Sequence, residues 1–154
     1  MTTPPFDLAQ AHKYFAVSFF NETWSLIEKK ERSLHDDQLM VALSQASLCH
    51  WMMRPDCSDQ NLSIAFWQLS RVYALIGQAG EARRLGEICL GYSGKLEPFY
   101  RGFAHEALAR ATALQGNGAA REVHLAEARR LAAEVADAGE RESLEADLAT
   151  VPEA

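Results

Sequence analysis

The fold is decided by residues 61–94, which read NLSIAFWQLSRVYALIGQAGEARRLGEICLGYSG. In the first half of this stretch, apolar residues such as Phe66 and Leu69 recur at the spacing of one helix face. Gly77 and Gly80 then mark a short turn, after which the helical period resumes. The stretch therefore predicts two helices that pack against each other as an antiparallel hairpin.

The helical period continues on both sides of this hairpin, and no run of β-branched residues alternates with polar ones. We therefore expect an all-α chain of about seven helices. Ser33 is the predicted N-cap of the second helix. The first helix is predicted to follow Pro4 and Pro5 and to end at about Lys30, the second to run from Ser33 to about Arg54, and the third from Asp59 to Gln78. The fourth is predicted beyond Gly80, and the fifth from Glu97 to Gln115. The sixth is predicted to end at about Ala138, and the seventh to run from Arg141 to Ala149 after a break at Gly139.

Two of these helices carry informative apolar patterns. The third is apolar almost all round, which is typical of a helix in the middle of a fold. The first carries a wide aromatic face, and the residues expected to lie along it are Leu8, His12, Phe15, Phe19 and Ile27, with Ala16, Phe20 and Trp24 beside them.

Composition excludes several classes of protein. The 154 residues are 48% hydrophobic and 23% charged, which is typical of one globular domain, here residues 1–154. A net charge of −6, with no dense basic patch, argues against nucleic-acid binding. No apolar run approaches the length of a membrane span or a signal peptide, and the three cysteines form no Cys-x-x-Cys pair. We therefore expect a cytoplasmic protein with reduced thiols.

Residues 61–94 resemble a tetratricopeptide repeat (TPR). Phe66, Leu69, Ser70 and Tyr73 match the large, large, small and aromatic positions of its first helix, Gly77 closes the turn, and Ala82, Gly86 and Cys89 match the small positions of its second helix. A looser second repeat spans about 98–138, where Leu108, Ala109 and Gly116 take corresponding places, and a short helix follows at about 141–149. The resemblance implies a right-handed superhelical stack of antiparallel helix hairpins. The chain is also similar to a group of small uncharacterised bacterial proteins of this type, in its pattern of Trp24, His50 with Trp51, Trp67 with Ser70 and Arg71, and Glu106 with Ala109 and Arg110.

The resemblance also implies a concave groove that holds a protein or peptide partner. The first helix of the clear repeat would present Ile64, Trp67 and Arg71 to this groove, and the looser repeat would present Phe103, Glu106 and Arg110. A plainer alternative is that Glu106 and Arg110 form an i, i+4 ion pair, with Arg71 bridging to it and Trp67 completing the core.

His50 and Trp51 lie in a sulfur-rich stretch between Cys49 and Met53. Because His50 falls on the apolar row of its helix, a hydrogen bond from a neighbouring helix would hold it neutral in a structural role. The alternative is a small-ligand or catalytic pocket around His50, Trp51, Trp67 and Arg71, in which His50 would act as a general base if a carboxylate such as Glu106 lies near it.

Motifs for catalysis and cofactors are missing. The five histidines form no His-x-x-x-His or Glu-x-x-His pair, so no metal is expected. The Gly-rich turns lack a phosphate-loop context, and no nucleophile motif is recognised, so neither a cofactor nor a catalytic residue is assigned. Whether the chain is an enzyme stays open, and the pattern favours a role without catalysis.

These observations favour an interaction module or scaffold with a helical groove. The alternatives are the small-ligand or catalytic pocket described above and a structural subunit of a larger assembly, which would expose a large apolar patch. An alanine stripe along the C-terminal helices would also permit close packing between two subunits, which leaves a homodimer open.

Overall fold

The computed structural model describes residues 5–154, and Pro4, which precedes the first predicted helix, lies outside this range. The described chain forms seven α-helices and no strand, which confirms the all-α prediction. The helices are α1 (Leu8–Ile27), α2 (Leu34–Met52), α3 (Asp59–Leu75), α4 (Ala79–Ser93), α5 (Pro98–Leu114), α6 (Gly118–Glu134) and α7 (Ala138–Leu148).

The helices form a consecutive stack in which each packs against the next. In addition, α1 contacts α3, α3 contacts α5 and α5 contacts α7, whereas the even-numbered helices do not touch one another within the described chain. The odd-numbered helices are therefore the more closely spaced layer, so the stack curves with these helices on its concave side. As its apolar circumference predicts, α3 lies in the middle, against α1, α2, α4 and α5.

Small side chains set the close approach of paired helices. Ser47 on α2 donates a hydrogen bond to the carbonyl oxygen of Ala16 on α1 at 2.7 Å, and both residues are buried. Ser70 on α3 makes the same bond to the carbonyl of Ala82 on α4, also at 2.7 Å. A Cβ atom on Gly86 would lie only 3.0 Å from a methyl group of Leu108 on α5. These contacts explain why small residues are needed at the predicted positions: larger side chains would push the helices apart.

Several helix ends lie where the sequence predicted them, but Gly80, predicted to lie in the turn before α4, is the second residue of that helix. Ser33 caps α2 through a capping box with Asp36, which confirms the predicted cap. Gly77 and Gly116 follow α3 and α5 with φ angles of 78° and 70°, a left-handed conformation that glycine adopts without steric cost.

The boundary between the last two helices was predicted wrongly. α6 ends at Glu134 rather than near Ala138, because Val135 adopts an extended conformation. α7 then begins at Ala138, since the side chain of Asp137 accepts a hydrogen bond from the backbone N–H of Glu140. Gly139 lies in the first turn of α7 and does not break a helix.

Only part of the predicted aromatic face of α1 is buried. Ala16 and His12 are buried, but Leu8 and Phe15 keep 49% and 39% of their surface exposed. α1 is the first helix of the stack, so only α2 and α3 cover it and its outer side has no neighbour within the described residues. The aromatic face is therefore wider than the part that the fold buries.

Candidate functional site

A buried carboxylate lies at the centre of the concave side. Glu106 on α5 has no exposed surface. Its Oε1 accepts hydrogen bonds from Nη2 of Arg71 at 2.9 Å and from Nη2 and Nε of Arg110 at 2.6 and 2.9 Å. Its Oε2 accepts the indole N–H of Trp67 at 2.9 Å. Both oxygens are therefore occupied by partners from α3 and α5.

These partners are what allows the charge to be buried. An isolated carboxylate would lose several kcal/mol of hydration energy in such a place, roughly the amount that close cations and hydrogen bonds can return. Burial alone would lower the pKa of Arg71, but the nearby carboxylates of Glu106 and Asp147 outweigh it and raise that pKa. Arg71 therefore stays charged against Glu106.

The C-terminal helix completes this arrangement. Asp147 on α7 pairs with Nη2 of Arg71 at 3.1 Å. Arg110 donates to the carbonyl oxygen of Thr150 at 3.1 Å and to its hydroxyl at 2.8 Å. We refer to these contacts as the Glu106 network, whose members are Trp67, Arg71, Glu106, Arg110, Asp147 and Thr150. The network joins α3, α5 and the chain after α7 into one unit.

The structure therefore brings together four of the six predicted binding residues, Trp67, Arg71, Glu106 and Arg110. The ion pair within α5, the bridge from Arg71 and the packing of Trp67 in the core are all present, as the plainer alternative requires. The three charged side chains are buried, and both arginines donate hydrogen bonds to Glu106. Of the four, only Trp67 also lines an open depression.

That depression, which we call the aromatic pocket, lies between α1, α3, α5 and α7. It has a volume of about 360 Å³. Six aromatic residues form most of its wall. Ile64, two serines and the carboxylate of Asp147 form the rest. The aromatic residues are Phe20, Trp24, Trp67, Phe99, Tyr100 and Phe103.

The aromatic rings contact one another in a continuous series. The ring centroids of Trp24 and Trp67 lie 5.4 Å apart, and those of Trp67 and Phe103 lie 4.7 Å apart at an interplanar angle of 64°. Phe99 continues the series from Phe103 at 5.0 Å and 79°. Edge-to-face pairs of this kind hold the rings at fixed angles. The pocket wall is therefore built by the packing of these rings on one another.

Sequence reasoning found part of this wall. Ile64, Trp67 and Phe103, all predicted to face the groove, do line the pocket. The contributions of Trp24 from α1 and Asp147 from α7 were missed. The i, i+4 aromatic pairs Phe20 with Trp24 and Phe99 with Phe103 were a visible signal.

The other two predicted site residues lie elsewhere. Nδ1 of His50 on α2 is 2.8 Å from Nδ1 of His12 on α1, and its ring packs against Phe15 and Phe19. The expected hydrogen bond to a neighbouring helix is thus present, and burial together with the charge of His12 lowers the pKa of His50. Trp51 lines a smaller depression that shares Phe20 and Ile64 with the aromatic pocket.

A second histidine pair repeats this contact between α5 and α6. Nδ1 of His105 and Nδ1 of His124 lie 3.1 Å apart. Burial lowers the pKa of both rings, and His124 adds to the effect on His105. The neutral forms can share one hydrogen bond, since one ring donates and the other accepts.

Two properties of residues 5–154 concern metal binding and membrane insertion. No group of three or more His, Cys, Asp or Glu side chains is arranged to hold a metal ion in this range. Within the same range, none of the helices has the length and apolarity that a bilayer crossing requires.

Comparison of the chain with protein-family models, with curated proteins and with solved structures found no match.

Proposed function

We propose that the protein is an interaction module of the TPR-like kind and that its aromatic pocket receives a segment of a partner protein. The observation that carries the proposal is the pocket itself, a preformed concavity of about 360 Å³ lined by six aromatic side chains. Aromatic side chains dominate the energetics of protein interfaces because each buries a large area with little loss of side-chain entropy.

The Glu106 network supplies the rigid base of this site. It fixes Trp67 through the indole hydrogen bond and holds α7 at the pocket edge through Asp147. A wall held in place before binding avoids the free-energy cost of ordering it when the partner arrives. In this proposal, Arg71, Glu106 and Arg110 position the pocket, and Trp67 contacts the partner.

The test is an affinity pull-down from a lysate of the source organism with wild-type protein and two variants. Trp24→Ala removes a half-buried ring that lines the pocket and belongs to no ion pair. The matched control is Val123→Ala, which shortens an exposed side chain on α6. We expect a partner that binds the wild type and the control but is lost with Trp24→Ala, while circular dichroism shows all three folded. Equal capture by all three proteins would reject the pocket as the binding site.

A second candidate function is that of a structural subunit, and the exposed side of α1 favours it. Phe6, Tyr14 and Val17 keep 59%, 68% and 42% of their surface exposed, and Leu8 and Phe15 add to the same apolar region. Apolar patches of this kind often mark contact surfaces. Light scattering of the wild type and of Tyr14→Lys would test it: a dimer or larger assembly that the substitution dissociates supports this function, and a monomer at all concentrations rejects it.

A further inference from the structure

The lining of the aromatic pocket carries information about the charge of its occupant. Aromatic ring faces are negative and attract cations within about 6 Å of the ring centre. Trp67 already makes one such contact, with Cζ of Arg71 at 5.7 Å from its ring centroid. Its indole N–H also donates to Glu106, which adds electron density to the ring. The wall therefore favours a cation more than a purely aliphatic wall would.

The carboxylates that line the pocket and the depression beside it have the same preference. Asp147 is the one charged residue that lines it, and its side chain keeps 26% of its surface exposed although it also pairs with Arg71. A second depression shares Phe99 with the pocket and is lined by four carboxylate residues, Glu97, Glu134, Asp137 and Glu140. Neither lining contains a lysine or an arginine.

Nearby cations leave most of this negative charge uncompensated. Arg130 pairs with Glu134, and Arg141 donates to the carbonyl oxygen of Val135. Within the described residues, Glu97 and Glu140 have no ion-pair partner. Burial raises the pKa of Tyr100 in the pocket wall, and the charges of these two glutamates raise it further. Both glutamates therefore lie close to a side chain of the pocket wall.

We propose that the aromatic pocket and the adjoining acidic depression bind a basic peptide segment, with a lysine or arginine side chain inserted among the rings. This inference rests on the proposed function and specifies the chemistry of the partner. A peptide fits better than a small organic cation because the two depressions share Phe99, so neighbouring side chains of an extended segment can reach both. One basic side chain would occupy the pocket while a second would face Glu97 and Glu140.

The experiment uses the full chain and three short fluorescein-labelled peptides. The first alternates alanine with lysine, the second replaces each lysine by norleucine, and the third replaces each lysine by glutamate. Binding is followed by fluorescence anisotropy at low and high salt. We expect the lysine peptide to bind roughly tenfold more tightly than the norleucine peptide, with the difference shrinking as salt screens the carboxylates.

Two variants separate the contributions of the rings and of the charges. Trp24→Leu keeps an apolar side chain but removes a ring, and the pair Glu97→Gln and Glu140→Gln removes two of the unpaired charges. Each should lose the preference for lysine. Glu142→Gln, an exposed substitution on the same helix α7, is the matched control and should retain it.

Other outcomes would overturn the inference. If the norleucine peptide binds as well as the lysine peptide, the pocket accepts apolar side chains. That result rejects a basic partner but leaves the proposed role as an interaction module in place. If no peptide binds and tetramethylammonium alone quenches the tryptophan fluorescence, the site takes a small cation and the peptide is rejected. If all three peptides bind weakly and alike, the charge preference is rejected. Failure of the proposed function itself would appear in the pull-down with Trp24→Ala.

Discussion

Arg71 on α3 and Asp147 on α7 form an ion pair at 3.1 Å, although 76 positions separate them in the sequence (147 − 71 = 76). Arg71 uses the same nitrogen to reach Glu106 at 2.9 Å. One side chain thus joins the buried charge of α5 to the last helix of the stack. The position of α7 at the edge of the aromatic pocket therefore depends on a charge near the middle of the chain.

Replacing Glu106 with glutamine should destabilise the fold strongly. The substitution leaves two buried guanidinium groups without their shared counter-charge, which costs about 3–5 kcal/mol. The measurement is the free energy of unfolding in urea. Glu87→Gln is the control, because Glu87 is exposed and pairs with Arg83 one turn away, so its loss should change stability by less than about 1 kcal/mol. Similar losses for both variants would contradict the role assigned to the Glu106 network.

Gly102→Ala should displace α7 from α5. A Cβ atom at this position would lie 2.5 Å from a methyl group of Leu144, which is fully buried. Overpacking of this kind costs about 1–3 kcal/mol. Gly91→Ala is the matched control, since nothing lies within 4 Å of its added Cβ and the site is an exposed helix position.

Hydrogen exchange of α7 is the measurement that distinguishes displacement from general loss of stability. We expect faster exchange in α7 for Gly102→Ala and unchanged or slower exchange for Gly91→Ala. Uniform acceleration across all helices would show that α7 is not the element that moves.

Stability should fall as the solution becomes acidic, because of the histidine contacts. Burial lowers the pKa of His105, with help from His124, and burial also lowers the pKa of His124, with help from Arg83. In the unfolded chain both rings titrate near 6.5. As the pH falls below that value, the unfolded chain takes up protons before the folded chain does. The contribution of these histidines to the free energy of unfolding is therefore complete above about pH 6.5. It declines as the pH falls through the lower pKa values that the rings have in the folded protein.

Urea unfolding of the wild type and of His105→Gln across this pH range checks the histidine contribution. Glutamine can still hydrogen bond but does not titrate, so the variant should lose less stability on acidification than the wild type. Identical pH dependence of the two proteins would assign the effect to other groups. The charged groups near His105 are retained in the variant, so they do not account for a difference between the two proteins; they are Glu127, Arg101 and Arg130.

The three cysteines should differ in reactivity. Cys89 is fully buried, and burial raises the pKa of its thiol to about 12. Since the thiolate is the reactive form, Cys89 should be labelled only when the protein unfolds. Cys49 is exposed and should react first, with half-buried Cys57 slower because burial raises its pKa as well.

Mass spectrometry after iodoacetamide treatment, with and without urea, would assign the labelled sites. Labelling of Cys89 in the native protein at the rate of Cys49 would contradict the packing between α3 and α4, where its sulfur lies 3.2 Å from the carbonyl oxygen of Ser63.

The amino-acid sequence by itself determined the helices and most of their ends. Helical periodicity and capping are local properties, so Ser33 and Gly77 could be assigned from their immediate neighbours. The small residues at Ser70 and Gly86 also predicted where two helices approach closely. The predicted boundary between α6 and α7 was wrong because Gly139 suggested a break, whereas Asp137 caps a helix that begins just before it.

Only the tertiary structure decided which of the predicted groove residues are accessible to a partner. The sequence placed Arg71, Glu106 and Arg110 on faces that could meet a partner, but it could not show that α7 brings Asp147 and the Thr150 carbonyl to them. It likewise could not show that Trp24 joins Trp67 in one wall. Such contacts depend on how distant helices stack, because burial and charge pairing are properties of the assembled fold and not of any single helix.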